Sequence, residues 1–360
     1  MKRIFVSDCE GPISKNDNAF ELASRFIPEG DKLFTVVSRY DDVLAEVVGK
    51  QGYEAGGTIK LILPFLKAYG VTDEKMREFS AGHLVCIAGA KDTLRHVRGL
   101  APAFIVSASY EHYLRALCEV LDFPFENAYC TRVCLDKYGI GEKEKEELKQ
   151  IAREIGKMPV FDIPSEAESL DDMTERDQET VKRLDEIFWK KIAEMDVGTV
   201  YCEVTPMGGG EKAEAIKEIA QGLDTGPADV MYVGDSITDD EAFKLVERKG
   251  GLTVAFNGNG YAVKNAEVAV LSENSIVTAI IADAFLRLGK PKTLNLVKNW
   301  NRKALEKNEI NQILLKRFFK LYPRKLPKAA IVTEDNMESL AEESSRFRNK
   351  VRGEAVGRLG

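Results

Sequence analysis

In the opening stretch MKRIFVSDCEGPIS, Asp8 and Glu10 sit one residue apart where the apolar run Ile4–Val6 stops, and Gly11 and Pro12 then turn the backbone. Such a pair is either an ordinary polar strand end or two carboxylates placed to attack and to move protons together. Three further clusters follow along the chain. Ser107 ends the apolar run in AFIVSAS, where a serine alone reads as a helix cap. Lys212 opens a helical pattern just after the glycine run in GGGEKAEAIKEI. Asp235 and Asp239 stand four residues apart in VMYVGDSITDDEAFKLV, on a loop leading from a buried strand into a helix, a spacing that seldom serves packing alone. The glycine run is not a Walker loop, which needs Gly-Lys-Ser/Thr, because Glu211 and Ala213 flank the lysine. Its glycines instead let the lysine helix approach an anion closely.

The elements that must position these residues can be read from hydrophobic pattern. Apolar, β-branched runs at Ile4–Val6, Phe104–Val106, Val200–Val204 and Val230–Val233, with a fifth at Leu252–Phe256, end in polar or turn-forming residues. Helical stripes lie between them, one marked by Leu94, Val97 and Leu100, another by Tyr113, Leu114, Leu117 and Val120. This alternation predicts an α/β protein with a parallel sheet covered on both faces, in which ligands gather at the carboxyl ends of the strands. Asp8, Ser107 and Asp235 fall at such ends.

Three stretches break the alternation. Residues 15–84 read as several helices, with Phe20, Leu22, Ala23 and Phe26 in one and Ile59, Leu63, Phe65 and Leu66 in another. Residues 141–196 are strongly charged and read as two or more helices joined by the Pro159–Pro164 loop, their charges forming a solvated face. From 291 onward there are 16 Lys/Arg against 8 Asp/Glu, a charge of +8, which leaves −15 for the remainder of a chain whose net charge is −7. In that tail Ile310, Ile313, Leu314, Phe318 and Leu321 share one helical face, and Pro323 ends the helix. The expected organisation is a core of 1–14, 85–140 and 197–290, a helical cap at 15–84, a charged helical insert at 141–196 and a basic helical extension at 291–360.

Bulk properties narrow the function. The acidic balance argues against general nucleic-acid binding. No run of about 18 apolar residues is present, so the chain is not expected to span a membrane. The start, Met1-Lys2-Arg3 and a few apolar residues, lacks the pattern of a signal peptide. Cys9, Cys86, Cys118, Cys130, Cys134 and Cys202 lack zinc-ligand spacing and do not cluster with His83, His96 or His112. Buried, reduced thiols and a cytoplasmic location are expected.

In their order and on these elements, the four clusters resemble the four motifs of the haloacid-dehalogenase-like superfamily of phosphohydrolases, over roughly 1–14, 86–135 and 198–290. The resemblance implies a Rossmann-like parallel-sheet core and a Mg²⁺-dependent phosphatase. A phosphate monoester repels an attacking anion, so catalysis must neutralise the transferring group and align the nucleophile with the leaving oxygen. Asp8 is then the nucleophile that forms an aspartyl-phosphate, and Glu10 the acid that protonates the leaving oxygen and later activates water. Asp8, the Glu10 backbone carbonyl, Asp235 and Asp239 would hold Mg²⁺ in an all-oxygen site. Ser107 would donate to the phosphoryl group and Lys212 would offset its charge.

Two departures stand out: Glu10 replaces the usual Asp, as it does in enolase-phosphatases, and Pro12 replaces the usual Thr or Val. A helical segment between the first two motifs resembles the C1 cap of phosphoserine phosphatases, and Asp17 falls where that family has an acid contacting the substrate amine. Asp17 reads equally as a helix cap before Phe20. The paired arginines expected in that cap are missing, KQGYEAGG standing roughly there, so the implied substrate is a small phosphorylated metabolite in general. Tyr110 and His112 are candidates to line the pocket. The stretch SDCEGPISKNDNAFE also resembles an archaeal branch labelled energy-converting hydrogenase A subunit R. This implies an alternative, a non-hydrolytic or regulatory subunit docking on a membrane complex through the basic extension or the 141–196 insert. A phosphotransferase sharing the aspartyl-phosphate step is the other alternative.

Overall fold

The protein is described by a computed structural model covering residues 2–50, 53–161, 163, 164, 167, 169–357 and 359. Seven strands form one sheet: β1 (Ile4–Ser7), β2 (Ala103–Tyr110), β3 (Ala128–Thr131), β4 (Val230–Gly234), β5 (Leu252–Phe256), β6 (Val268–Leu271) and β7 (Lys328–Ile331). Their order is β3-β2-β1-β4-β5-β6-β7, parallel throughout except for the antiparallel edge strand β7. The chain order reverses at β1, which pairs with β2 on one side and β4 on the other. This is the switch point where open α/β sheets bind ligands. Register aligns the ends of the central strands, with Ser7 opposite Val233, and the Asp8 N–H donates to the Val233 carbonyl at 2.7 Å.

The strands are apolar throughout because both faces are buried. Phe5 packs on one face with Met231, Val233 and Val254, while Ile4 and Val6 pack on the other with Tyr232 and Ala255. A third apolar cluster lies apart from the sheet. Leu33, Val37, Tyr40 and Phe65 from the segment before β2 pack there with Leu148, Ile155, Val181 and Phe188 from the charged segment after β3. Phe188 stacks on Tyr40 with ring centres 5.6 Å apart and meets the edge of Phe65 at 6.2 Å. The charged helix Glu142–Ile155 thus turns Leu148, Ile151 and Ile155 inward and leaves pairs such as Lys149–Glu146 toward solvent. Residue 162 of the Pro159–Pro164 loop lies outside the described residues.

Several sequence expectations are corrected. Val200–Val204 is not a strand; Val200–Glu203 is a helical turn whose Val200 and Tyr201 are buried in the third cluster, so the β-branched run reflects packing and not sheet pairing. In the helix Gln312–Leu321 the buried side chains are Leu314, Leu315 and Phe318, whereas Ile313 and Leu321 are 73% and 51% exposed. Leu100 and Val120 likewise lie outside the buried stripes expected of them. The tail is not purely helical, since it contributes β7 to the sheet. All six cysteines are unpaired, but Cys134 and Cys202 are exposed, not buried. Among the described residues no helix is long and apolar enough to cross a membrane.

Candidate active site

Strand register brings Asp8 and Asp235 together at the sheet's carboxyl edge, since each is the first residue past the neighbouring strands β1 and β4. A carboxylate oxygen from each of Asp8, Asp235 and Asp239 lies within 4.8 Å of the others, and all three residues are buried. Closeness of this kind demands glycine nearby. Gly11 has φ +103, and a Cβ there would overlap the Asp235 carboxylate. A Cβ at Gly234 would likewise overlap Asp239.

Lys212, fully buried in the first turn of the helix Gly209–Gly222, joins this group. Its Nζ donates to Asp8 Oδ2 at 2.8 Å, to Asp239 Oδ1 at 2.7 Å and to Thr238 Oγ1 at 3.1 Å. All three ammonium donors are therefore used. Asp239 is equally saturated. Its Oδ1 also accepts from the Tyr232 hydroxyl at 2.6 Å, and its Oδ2 accepts the N–H groups of Asp235 and Ser236 at 2.8 and 2.9 Å. With four donors on four acceptor sites, Asp239 fixes Lys212 and the GDSITD loop. Asp8 Oδ1 accepts its neighbour Cys9 N–H at 2.6 Å.

The remaining sequence candidates separate into two groups. Glu10 lies outside the three-carboxylate cluster, its Oε1 accepting the Asn18 N–H at 2.7 Å, but it borders the same cavity. Asp17 caps the helix Asn18–Phe26 by accepting the Phe20 N–H at 3.0 Å, and it also lines the cavity. Ser107 also lines it, its hydroxyl donating to Ser109 at 3.3 Å. Tyr110 and His112 do not. The Tyr110 hydroxyl bonds the Ile59 carbonyl, and His112 Nε2 meets Asp73 at 2.9 Å, so both tie the β2 region to the helices above it. The cavity enclosed by these groups is about 100 Å³.

Sequence reasoning missed two cations and several acids. Arg348 and Arg352, on the C-terminal helix Met337–Arg352, both donate to Asp235 Oδ2, Arg352 at 3.0 Å. The available signal was spacing: Leu340, Ser344, Arg348 and Arg352 recur every four residues, a single helix face that is buried at its first three positions. Glu54, on the loop above the cavity, accepts the Gly210 N–H and so satisfies the open end of the lysine helix. Buried Asp41 shapes that loop, accepting from Tyr53, Gly56, Gly57 and Thr58 at 2.7 to 3.0 Å. Positions 51 and 52 of KQGYEAGG lie outside the described residues.

Burial dominates the electrostatics. It pushes Asp8 up to about 7, with Asp239 and Asp235 adding to the rise against the pull of Lys212. Glu10 is driven well above its usual range by burial and by Asp17. Burial raises Asp235 too, against Arg348 and Arg352. Lys212, despite burial, is held above its ordinary value by Asp239 and Asp8 and stays cationic. Asp8, Glu10, Asp17, Asp235 and Asp239 thus face Lys212, Arg348 and Arg352, five acids against three cations. Asp41 and Asp42 line the same cavity, so carboxyl groups outnumber cations around it. The donor set is all oxygen, so the residues fit a hard cation such as Mg²⁺.

Comparison with known proteins finds one family match and several similar structures. Residues 110–283 match the haloacid dehalogenase-like hydrolase family; the match takes in Lys212, Asp235 and Asp239 and begins after Asp8, Glu10 and Ser107. No curated protein matches the chain. Among solved structures, gene product AF1437 from Archaeoglobus fulgidus is similar over 100% of this chain and 99% of its own, at 27% identity and a TM-score of 0.77. A substrate-bound phosphoserine phosphatase is similar over 76% of this chain and 95% of its own, at 16% identity and a TM-score of 0.43. A phospho-aspartyl intermediate analogue of phosphoserine phosphatase covers the same shares at 14% identity and a TM-score of 0.43. The segment 110–283, which carries the lysine helix and the paired-aspartate loop, is thus similar to the haloacid dehalogenase-like hydrolases.

Proposed function

We propose that this chain is a Mg²⁺-dependent phosphatase acting on a small phosphorylated metabolite through an aspartyl-phosphate on Asp8. A cytoplasmic location goes with that reading. One observation carries it: Lys212 Nζ bridges Asp8 and Asp239 at 2.8 and 2.7 Å while Asp235 completes a carboxylate cluster within 4.8 Å.

Asp8 attacks phosphorus in line, its carboxylate oxygen bonding to phosphorus as the ester P–O bond breaks. The leaving oxygen takes its proton from Glu10, whose burial favours the protonated form that this step needs. Glu10 then accepts a proton from water, which attacks the phosphorus, releases inorganic phosphate and restores Asp8. The Asn18 N–H steadies Glu10 at the cavity wall throughout. Ser107 donates to a phosphoryl oxygen, and Lys212 counters the charge gathering on the group. Mg²⁺ held by Asp8, Asp235 and the Glu10 carbonyl would supply further neutralisation and keep Asp8 ionised. Asp239, its four acceptor sites filled, fixes Lys212 and the Asp235 backbone and does not bind the ion.

Hydrolysis of p-nitrophenyl phosphate with and without Mg²⁺, beside Asp8→Asn, tests the reading. Magnesium-dependent turnover that disappears in the variant supports it, and a panel of phosphometabolites then narrows the substrate. No turnover across that panel, together with stable association to another subunit, would favour the docking role instead.

A further inference from the structure

The C-terminal helix Met337–Arg352 reaches the acid cluster by a route of specific contacts. Leu340 and Ala341 pack beside the sheet, and the buried Ser344 hydroxyl donates to the Gly258 carbonyl at 2.6 Å, which aims the following turns at Asp235. Arg348 and Arg352 then converge on one atom, Asp235 Oδ2. Every other nitrogen of the two groups also donates to backbone. Arg348 Nη1 also reaches the Asp235 carbonyl at 3.1 Å, its Nε the Gly357 carbonyl at 3.1 Å and its Nη2 the Leu359 carbonyl at 3.3 Å. Arg352 Nε donates to the Lys15 carbonyl at 3.1 Å, and its Nη2 to the Asn16 carbonyl. These contacts use four of the five N–H donors of Arg348 and three of the five of Arg352.

The same contacts seat the tail. Leu359 is buried, borders the cavity and belongs to the cap's apolar cluster. The space left is about 100 Å³, against roughly 300 Å³ or more for an ordinary small-molecule site. The side chain that neutralises Asp235, Arg348, therefore also fastens Gly357 and the cavity-lining Leu359.

We propose that the C-terminal helix is an internal counter-ion latch: Arg348 and Arg352 compete with a divalent cation for Asp235, and their displacement frees the tail so that substrate can enter. The proposal rests on the cation site assigned above, but not on hydrolysis. Coupling runs both ways, so whatever weakens the latch must strengthen cation binding.

Calorimetric titration of the full chain with Mg²⁺ tests it. Arg352→Met leaves Arg348 on Asp235, so the buried acid keeps a partner, and Mg²⁺ should bind about tenfold more tightly than to wild type. Arg352→Lys, which keeps the charge and loses the fork, should fall between them. Hydrogen exchange at the amides of 353–357 should quicken when Mg²⁺ and inorganic phosphate are added to wild type. Unchanged or weaker binding by Arg352→Met, or unaltered exchange at saturating Mg²⁺, overturns the latch. Asp235→Asn separates the two readings: wild-type affinity in that variant, or binding to no form of the chain, would remove the cation site itself, whatever the state of the tail.

Discussion

The two ends of the acid cluster are neutralised by different kinds of structure. Asp8 and Asp239 meet Lys212, held by strand register and by the first turn of a core helix. Asp235 meets Arg348 and Arg352, 113 and 117 residues further along, on a helix laid over the finished sheet. The first arrangement cannot be undone without dismantling the strand ends. The second can be, because only side-chain packing and hydrogen bonds hold the helix there. A site can thus carry a permanent counter-ion and an exchangeable one within the same few ångströms.

Substitutions can break or sharpen that contrast. The largest effect should come from Asp8→Asn, which lowers phosphatase turnover by at least about 10³-fold in a p-nitrophenyl phosphate assay, since no other carboxylate is in line to attack. Next, Lys212→Met strands Asp8 and Asp239 without a cation and should cost about 3–5 kcal/mol in urea unfolding. Arg352→Met, with Arg348 still in place, should cost only about 1–2 kcal/mol by the same measurement. Equal losses would erase the distinction between the two ends. Gly11→Ala tests the shared floor of the site: φ +103 and overlap with Asp235 should cost about 2 kcal/mol and weaken Mg²⁺ binding in the same titration.

A last effect, read as a pH slope, concerns an acid belonging to neither end. Asp42, buried in the cavity wall, is pushed up to about 8 by burial and by Asp41, with Arg39 at 3.5 Å as a weak partner. The folded protein therefore holds this proton where the unfolded chain has released it, and stability falls as pH rises from about 4 to 8. Asp42→Asn removes that slope. Its gain in stability over wild type should be about 1–3 kcal/mol larger at pH 8 than at pH 5, read from denaturant unfolding at both values.

The core half of the site was legible because each residue sits at a boundary that sequence marks. Asp8 follows an apolar run, Lys212 follows three glycines, and Asp235 ends VMYVG. Parallel pairing does the rest, since neighbouring strands that end together bring their next residues together. Val200–Val204 misled because a buried helical turn and a buried strand share the same apolar signature over five residues. The arginines were illegible for another reason. In ESSRFRNKVRGE they look like the solvated face of a basic helix, and only the tertiary docking of that helix distinguishes a surface charge from a buried one.

Glu54 has a consequence beyond capping. The carboxylate that completes the first turn of the lysine helix is supplied by the loop above the cavity, so raising that loop hands the Gly210 amide to water. Any motion that parts this loop from the lysine helix must exchange that partner for water.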